Sequence, residues 1–120
     1  VAGLTVTWSA AIPATAAFLD RDGVINVDVD YLHRVEDCIF VEGVARAIAR
    51  IRATGRKIIV VTNQSGVARG MYGLDDLDRL HAFMRARLAA EGAIIDAFYA
   101  CPHHPEGVVA AFRTVCECRK

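Results

Sequence analysis

The chain has 120 residues, enough for one domain with a buried core, and 54% of them are hydrophobic against 23% charged. That balance excludes a disordered chain, and a formal net charge of zero gives no electrostatic reason to expect nucleic acid or an anionic membrane as partner. No run approaches the roughly 18 apolar residues of a membrane-spanning helix.

Residues 1–13 read as an N-terminal extension, alanine-rich but without the basic start of a signal peptide. One domain is expected over 14–120. Ala14 to Leu19 is a short apolar run ending in Asp20-Arg21-Asp22-Gly23, a buried strand that meets a turn. Val24 to Phe40 mixes acids with Tyr31, His33 and aliphatics without helical period, which predicts a loop or small cap. Glu42 to Thr54 is predicted helical, with Val44, Ala47, Ile48 and Ile51 on one stripe and Gly55 as the stop.

Lys57 to Thr62 is β-branched and apolar without alternation, the pattern of a strand buried on both faces of a parallel sheet. Asn63 to Gly73 is a polar loop. Asp75 is placed to cap a helix running to about Glu91, with Leu77, Leu80, Phe83, Met84 and Leu88 inward. Ile94 to Ala100 is the third strand, and a loop dense in Cys and His follows to Lys120. Strand, helix, strand, helix, strand predicts a right-handed parallel α/β unit with flanking helices. Ligands of such sheets bind beyond the carboxyl ends of the strands, where Asp20, Thr62 and Cys101 fall.

Asp20 and Asp22 stand two apart just past a strand, so an extended backbone would point both carboxylates to one side. Two carboxylates held together need a cation between them or a shared proton, and either suits a nucleophile beside a general acid/base. From these residues alone, Asp-Arg-Asp-Gly reads equally well as a solvated turn. The wider string Phe18-Leu19-Asp20-Arg21-Asp22-Gly23-Val24-Ile25-Asn26 resembles the first signature of the haloacid dehalogenase superfamily of phosphatases. Val60-Val61-Thr62-Asn63-Gln64-Ser65-Gly66 resembles its second. The match runs on through Gly66-Val67-Ala68-Arg69-Gly70 and Cys101-Pro102-His103-His104 to Cys116-Glu117-Cys118-Arg119-Lys120, and there it is similar to the heptose bisphosphate phosphatases of that superfamily.

The resemblance implies a Rossmann-like sheet and a cytoplasmic, magnesium-dependent phosphatase with a small sugar-phosphate substrate; a monomer is the default expectation. It implies Asp20 as nucleophile, Asp22 as general acid/base, and Thr62 and Lys120 as stabilisers of the phosphoryl group. Magnesium would sit on the Asp20 carboxylate, the main-chain carbonyl of Asp22 and a later acid. Arg119 would recognise the substrate's second phosphate. Asp28, Tyr31, Asn63, Gln64 and Ser65 would line the sugar-phosphate site with Thr62, Arg119 and Lys120.

Cys101-x-His103 and Cys116-x-Cys118, twelve residues apart, offer a tetrahedral Cys₃His set for structural zinc. A disulfide framework is the rival reading, though Cys116 and Cys118 are awkwardly close to bond each other and His103 would go unexplained. His104, His33, His81 and Cys38 belong to no constellation and read as surface or packing residues. The family's later Gly-Asp strand has no counterpart before Lys120, so the fold is expected to be incomplete at its C-terminus. The 120 residues alone are then expected to bind magnesium poorly and to turn over little. Substantial magnesium-dependent activity from them would refute that. A histidinol-phosphate phosphatase and a non-enzymatic zinc-binding half-domain are the competing functions.

Overall fold

A computed structural model describes residues 15–120; the extension predicted for 1–13 lies outside them. Strands β1 (Ala16–Leu19), β2 (Lys57–Asn63) and β3 (Ala97–Cys101) alternate with helices α1 (Val44–Ala53) and α2 (Leu74–Ala89). Short 3₁₀ turns lie at Val35–Asp37 and Ala110–Phe112. The sheet is parallel in the order β1-β2-β3, with Phe18 opposite Ile59 and Val61 opposite Tyr99.

Because the strand order advances in one direction, two right-handed crossovers must lay both helices on the same face. Ile58 and Val60 are buried beneath them, in one core with Ile48 of α1 and Leu80, Met84 and Leu88 of α2. Ile25 and Leu32 close that core from the segment after β1. The expectation that β2 is buried on both faces is corrected here: its residues alternate between buried and half-buried. On the face away from the helices Phe18 is 68% exposed and Tyr99 64%, so nothing among the described residues covers it.

Three local readings shift. In α1 the inward stripe is Val44, Ala45, Ile48 and Ile51, while Ala47 faces out. Gly55, at φ +90°, ends the chain's helical course there, as a left-handed residue after a helix should. In α2 the N-cap is Gly73, not Asp75; the Asp76 carboxylate turns back and accepts the Gly73 N–H at 2.9 Å. β3 starts at Ala97, not Ile94, because Ala93 and Ile95 fold into the core. Asp96, just before β3, accepts the Ile58 N–H at 2.7 Å and pairs with Arg52 at 2.5 Å, tying the start of β2 to α1.

Candidate active site and metal centre

β1 ends in a turn wound about one carbonyl. The N–H groups of Val24, Ile25 and Asn26 all donate to the Arg21 oxygen, and Gly23 takes φ +85° to allow it. The turn leaves Asp20 at the open end of the sheet, its side chain 45% exposed. One Asp20 oxygen accepts the Arg21 N–H at 2.9 Å, and the other meets Lys120 Nζ at 3.1 Å. Asp22 is held differently. Its Oδ1 accepts from Arg21 Nε (3.1 Å) and Nη2 (2.8 Å) and from Asn26 Nδ2 (3.1 Å), and its Oδ2 accepts from Gln64 Nε2 (3.1 Å).

The end of β2 supplies the other wall. Thr62 is buried, and its hydroxyl oxygen accepts from Gln64 Nε2 at 2.7 Å. The Asn63 amide clasps the main chain of Lys120 from both sides, donating to its carbonyl and accepting its N–H, each at 3.0 Å. A cavity of about 200 Å³ is lined by Asp22, Asp28, Tyr31, Asn63, Gln64 and Ser65, with Asp30 and Tyr72. The structure thus brings together five residues singled out from the sequence as lining the sugar-phosphate site. Asp30 and Tyr31 enter it with φ of +52° and +56°, a conformation that bulky side chains rarely adopt and that costs on the order of 1–3 kcal/mol each. Arg119 stands apart: it is exposed, and among the described residues its guanidinium reaches only the His103 carbonyl, at 3.5 Å.

Tyr72, His81 and Arg21 carry structure that the sequence reading did not foresee. The Tyr72 hydroxyl donates to Gln64 Oε1 at 2.5 Å, which turns the Gln64 NH₂ toward Thr62 and Asp22. Burial pushes the Tyr72 phenol up to about 12, so it stays a donor. A Cβ at Gly66 would run into the Tyr72 ring. Gly66→Ala is therefore expected to lower stability by about 1–3 kcal/mol, as overpacking does. Urea unfolding checks this, and in a Tyr72→Leu background the same substitution should add almost nothing.

His81, read from sequence as a residue of no constellation, is buried on α2 and stacks on Phe98 with ring centroids 4.4 Å apart. Its Nε2 lies 3.1 Å from Arg21 Nη1. Burial, reinforced by the Arg21 charge and opposed by Asp22, brings the imidazole down from 6.5 to about 3. Between those values the unfolded chain binds a proton that the native chain refuses. The native state's advantage is whole above about pH 6.5 and is lost as pH falls toward 3, at up to about 1.4 kcal/mol per pH unit. Urea unfolding at pH 7 and pH 5 should show this loss, and His81→Gln should flatten it.

Beyond β3 the four predicted ligands converge. The donor atoms of Cys101, His103, Cys116 and Cys118 all lie within 4.8 Å of one another. Cys101 and Cys116 sulfurs are 3.4 Å apart, Cys116 and Cys118 3.5 Å, and His103 Nδ1 stands 3.2 Å from Cys118 and 3.7 Å from Cys101. A tetrahedron with Zn–S near 2.3 Å and Zn–N near 2.05 Å has edges of about 3.5–3.8 Å, and these four distances fall around them, so the donor set suits zinc. All four cysteines are free thiols, so the disulfide reading fails. Burial works against the Cys116 thiolate, but contacts from the Cys101 and Cys118 thiols and the N–H groups of Cys118 and Arg119 bring it to about 7. The same crowding by Cys101 and Cys116 pushes Cys118 up to about 12. Three sulfurs and an imidazole nitrogen converging this closely are a donor set that a soft divalent cation would satisfy. His104 stays outside the set, 3.3 Å from Arg69 Nη2.

Asp20 at the end of β1 thus faces Lys120, with Thr62 on the next strand, on a parallel sheet that solved structures share. The chain matches a HAD-like phosphatase from Mesorhizobium loti with a TM-score of 0.82 at 36% identity, over 89% of this chain and 51% of that one. It has the haloacid dehalogenase-like phosphatase fold. Within that class it resembles the heptose bisphosphate phosphatases. It is 46% identical over 105 residues to the D-glycero-beta-D-manno-heptose-1,7-bisphosphate 7-phosphatase of Yersinia pestis, covering 88% of this chain and 56% of that protein. It is 49% identical to the enzyme of that name from Rhodopseudomonas palustris, again over 88% of this chain and over 58% of that protein. A D,D-heptose 1,7-bisphosphate phosphatase from B. bronchiseptica, solved with magnesium and phosphate, matches with a TM-score of 0.76 at 36% identity, over 88% of this chain and 56% of that one. The chain thus spans little more than half the length of these relatives. No family model matches it. Among the described residues no helix is long and apolar enough to cross a membrane.

Proposed function

We propose that this protein removes the 7-phosphate of D-glycero-D-manno-heptose 1,7-bisphosphate, with Asp20 as the nucleophile. The observation that carries the reading is the 3.1 Å pair between Asp20 and Lys120, which sets a cation beside a half-exposed carboxylate at the sheet's open end. In the proposed course an Asp20 oxygen displaces the sugar C7 alkoxide from phosphorus, and Asp22 gives the leaving oxygen its proton. Asp22 then takes a proton from water, which hydrolyses the aspartyl phosphate and frees Asp20. Lys120 and the Thr62 hydroxyl offset charge on the phosphoryl oxygens, where fixed donors act strongest. The cavity lined by Asp28, Tyr31, Asn63, Gln64 and Ser65 would take the sugar, with Arg119 toward the distal phosphate.

The oxygen donors at the Asp20 carboxylate and the Asp22 main-chain carbonyl suit magnesium, which prefers hard oxygen ligands. When bound, magnesium would supply neutralisation of the phosphate charge. Zinc on Cys101, His103, Cys116 and Cys118 would be structural, because protein fills all four positions. The reading treats 14–120 as one phosphatase domain and the protein as a cytoplasmic monomer, which sedimentation of the magnesium-loaded protein checks. The deciding assay is phosphate release by the full-length protein from heptose 1,7-bisphosphate and from histidinol phosphate. Faster turnover of the second substrate would replace the proposal with its nearest rival, and turnover of neither would favour a zinc-binding module.

A further inference from the structure

We propose that His81 is a positioning residue for the general acid/base, acting through Arg21 to hold the Asp22 carboxylate; this rests on the phosphatase reading above. Arg21 is fully buried, so each nitrogen of its guanidinium must find a partner in the protein. Nε and Nη2 go to Asp22 Oδ1, and Nη2 also reaches the Leu32 carbonyl at 3.1 Å. That leaves Nη1, whose partner is His81 Nε2 at 3.1 Å.

A guanidinium has no acceptor and does not lose its proton in proteins, so the histidine must offer a lone pair at Nε2 and carry its hydrogen on Nδ1. The imidazole is accordingly a neutral acceptor built into α2. Its plane is set by the stack on Phe98 of β3, over which the Arg85 guanidinium also lies, 5.6 Å from the ring centre. Helix and strand together therefore fix where Arg21 points. Arg21 is in turn the donor of two of the four hydrogen bonds that Asp22 accepts. Without the acceptor on α2, the buried Nη1 has no partner and the guanidinium is drawn toward water. Asp22 follows it out of line with the leaving oxygen.

The test compares wild type with His81→Leu, His81→Gln and His81→Asn in the full-length, magnesium-loaded protein. A glutamine amide sits where Nε2 was, whereas an asparagine amide falls short at the Nδ1 position. His81→Leu and His81→Asn should lower kcat on the sugar phosphate by about 100-fold with KM nearly unchanged, the size of effect expected from a misplaced catalytic group. His81→Gln should recover to within about threefold of wild type. p-Nitrophenyl phosphate needs no proton on its leaving group, so both defective variants should still release the first equivalent of nitrophenolate at the wild-type rate. Equal losses on the two substrates, or equal losses in the Gln and Asn variants, overturn the proposal. The nitrogen resonances of Arg21 give a readout that needs no turnover. Its guanidinium protons should exchange slowly in wild type and His81→Gln and rapidly in His81→Asn. If wild type hydrolyses neither ester, the phosphatase reading fails, and an equally slow exchange in the Asn variant would separately remove His81's hold on Arg21.

Discussion

Asp20→Asn is expected to abolish phosphate-ester hydrolysis by the full-length protein, a loss on the order of 10⁴-fold or more, while leaving the fold intact. The two halves of that expectation come from different observations. Asp20 lies past the last residue of β1 with its side chain 45% exposed, so an isosteric amide disturbs no packing. Its contact with Lys120 is a surface pair, and such pairs contribute about 0–1 kcal/mol. The midpoint of thermal unfolding should therefore barely move. Chemistry should stop because an amide oxygen cannot form the aspartyl phosphate on which both half-reactions depend. Rapid acid quench should capture phosphorus on the wild-type protein and none on the variant, and hydroxylamine should release it as inorganic phosphate and leave a hydroxamate at Asp20. Retained hydrolysis at more than about a hundredth of the wild-type rate would show that another group attacks phosphorus.

What the sequence could and could not reveal divides along the range of the interactions. β1, β2 and both helices were legible because apolar period and glycine stops are local signals, and the zinc ligands because Cys and His at tight spacing have few other uses. The errors also have local causes. The helical stripe of α1 admits either Ala45 or Ala47, and only the position of the sheet decides for Ala45. Asp75 and Asp76 are equally good candidates at a helix start, and the backbone path at Gly73 chooses Asp76. The apparent two-sided burial of β2 failed because both crossovers lie on one side. His81 and Tyr72 were invisible as site residues for a stricter reason. His81 reaches the site only through Arg21, sixty residues away, and Tyr72, which also lines the cavity, sets the Gln64 amide eight residues away; no spacing rule encodes such relays. Arg21 itself sat in plain view between two aspartates, yet nothing local says that it turns inward and is wholly buried.

Removing the zinc, by a zinc-selective chelator in excess magnesium or by Cys118→Ser, is expected to release the end of the chain and leave the sheet and helices folded. The loop after β3 is anchored at two levels. Its middle is held without any metal. The N–H groups of Val108 and Val109 donate to the Ala68 carbonyl, and Phe112 packs on the small core of Val67, Tyr72 and Leu77. Gly107 lies so close to Ala68 that an added Cβ would stand 2.7 Å from its carbonyl oxygen. From Thr114 onward the anchors are few. Val115 is 82% exposed, and among the described residues only the Asn63 clasp and the Asp20 pair, besides the Cys/His cluster, hold Lys120. Structural zinc in finger peptides contributes about 10–16 kcal/mol of apparent binding free energy, far more than two exposed polar contacts offer. Amide hydrogen exchange should thus rise by orders of magnitude over 114–120 on metal removal and stay nearly unchanged in β2 and α2. Hydrolysis should fall about as far as in Lys120→Met, on the order of 10²–10³-fold, because both changes take the same cation from the phosphoryl oxygens. Chelation of the Lys120→Met variant should then cost little more. A large additional loss would mean that the metal supports more of the site than the one lysine it holds beside Asp20.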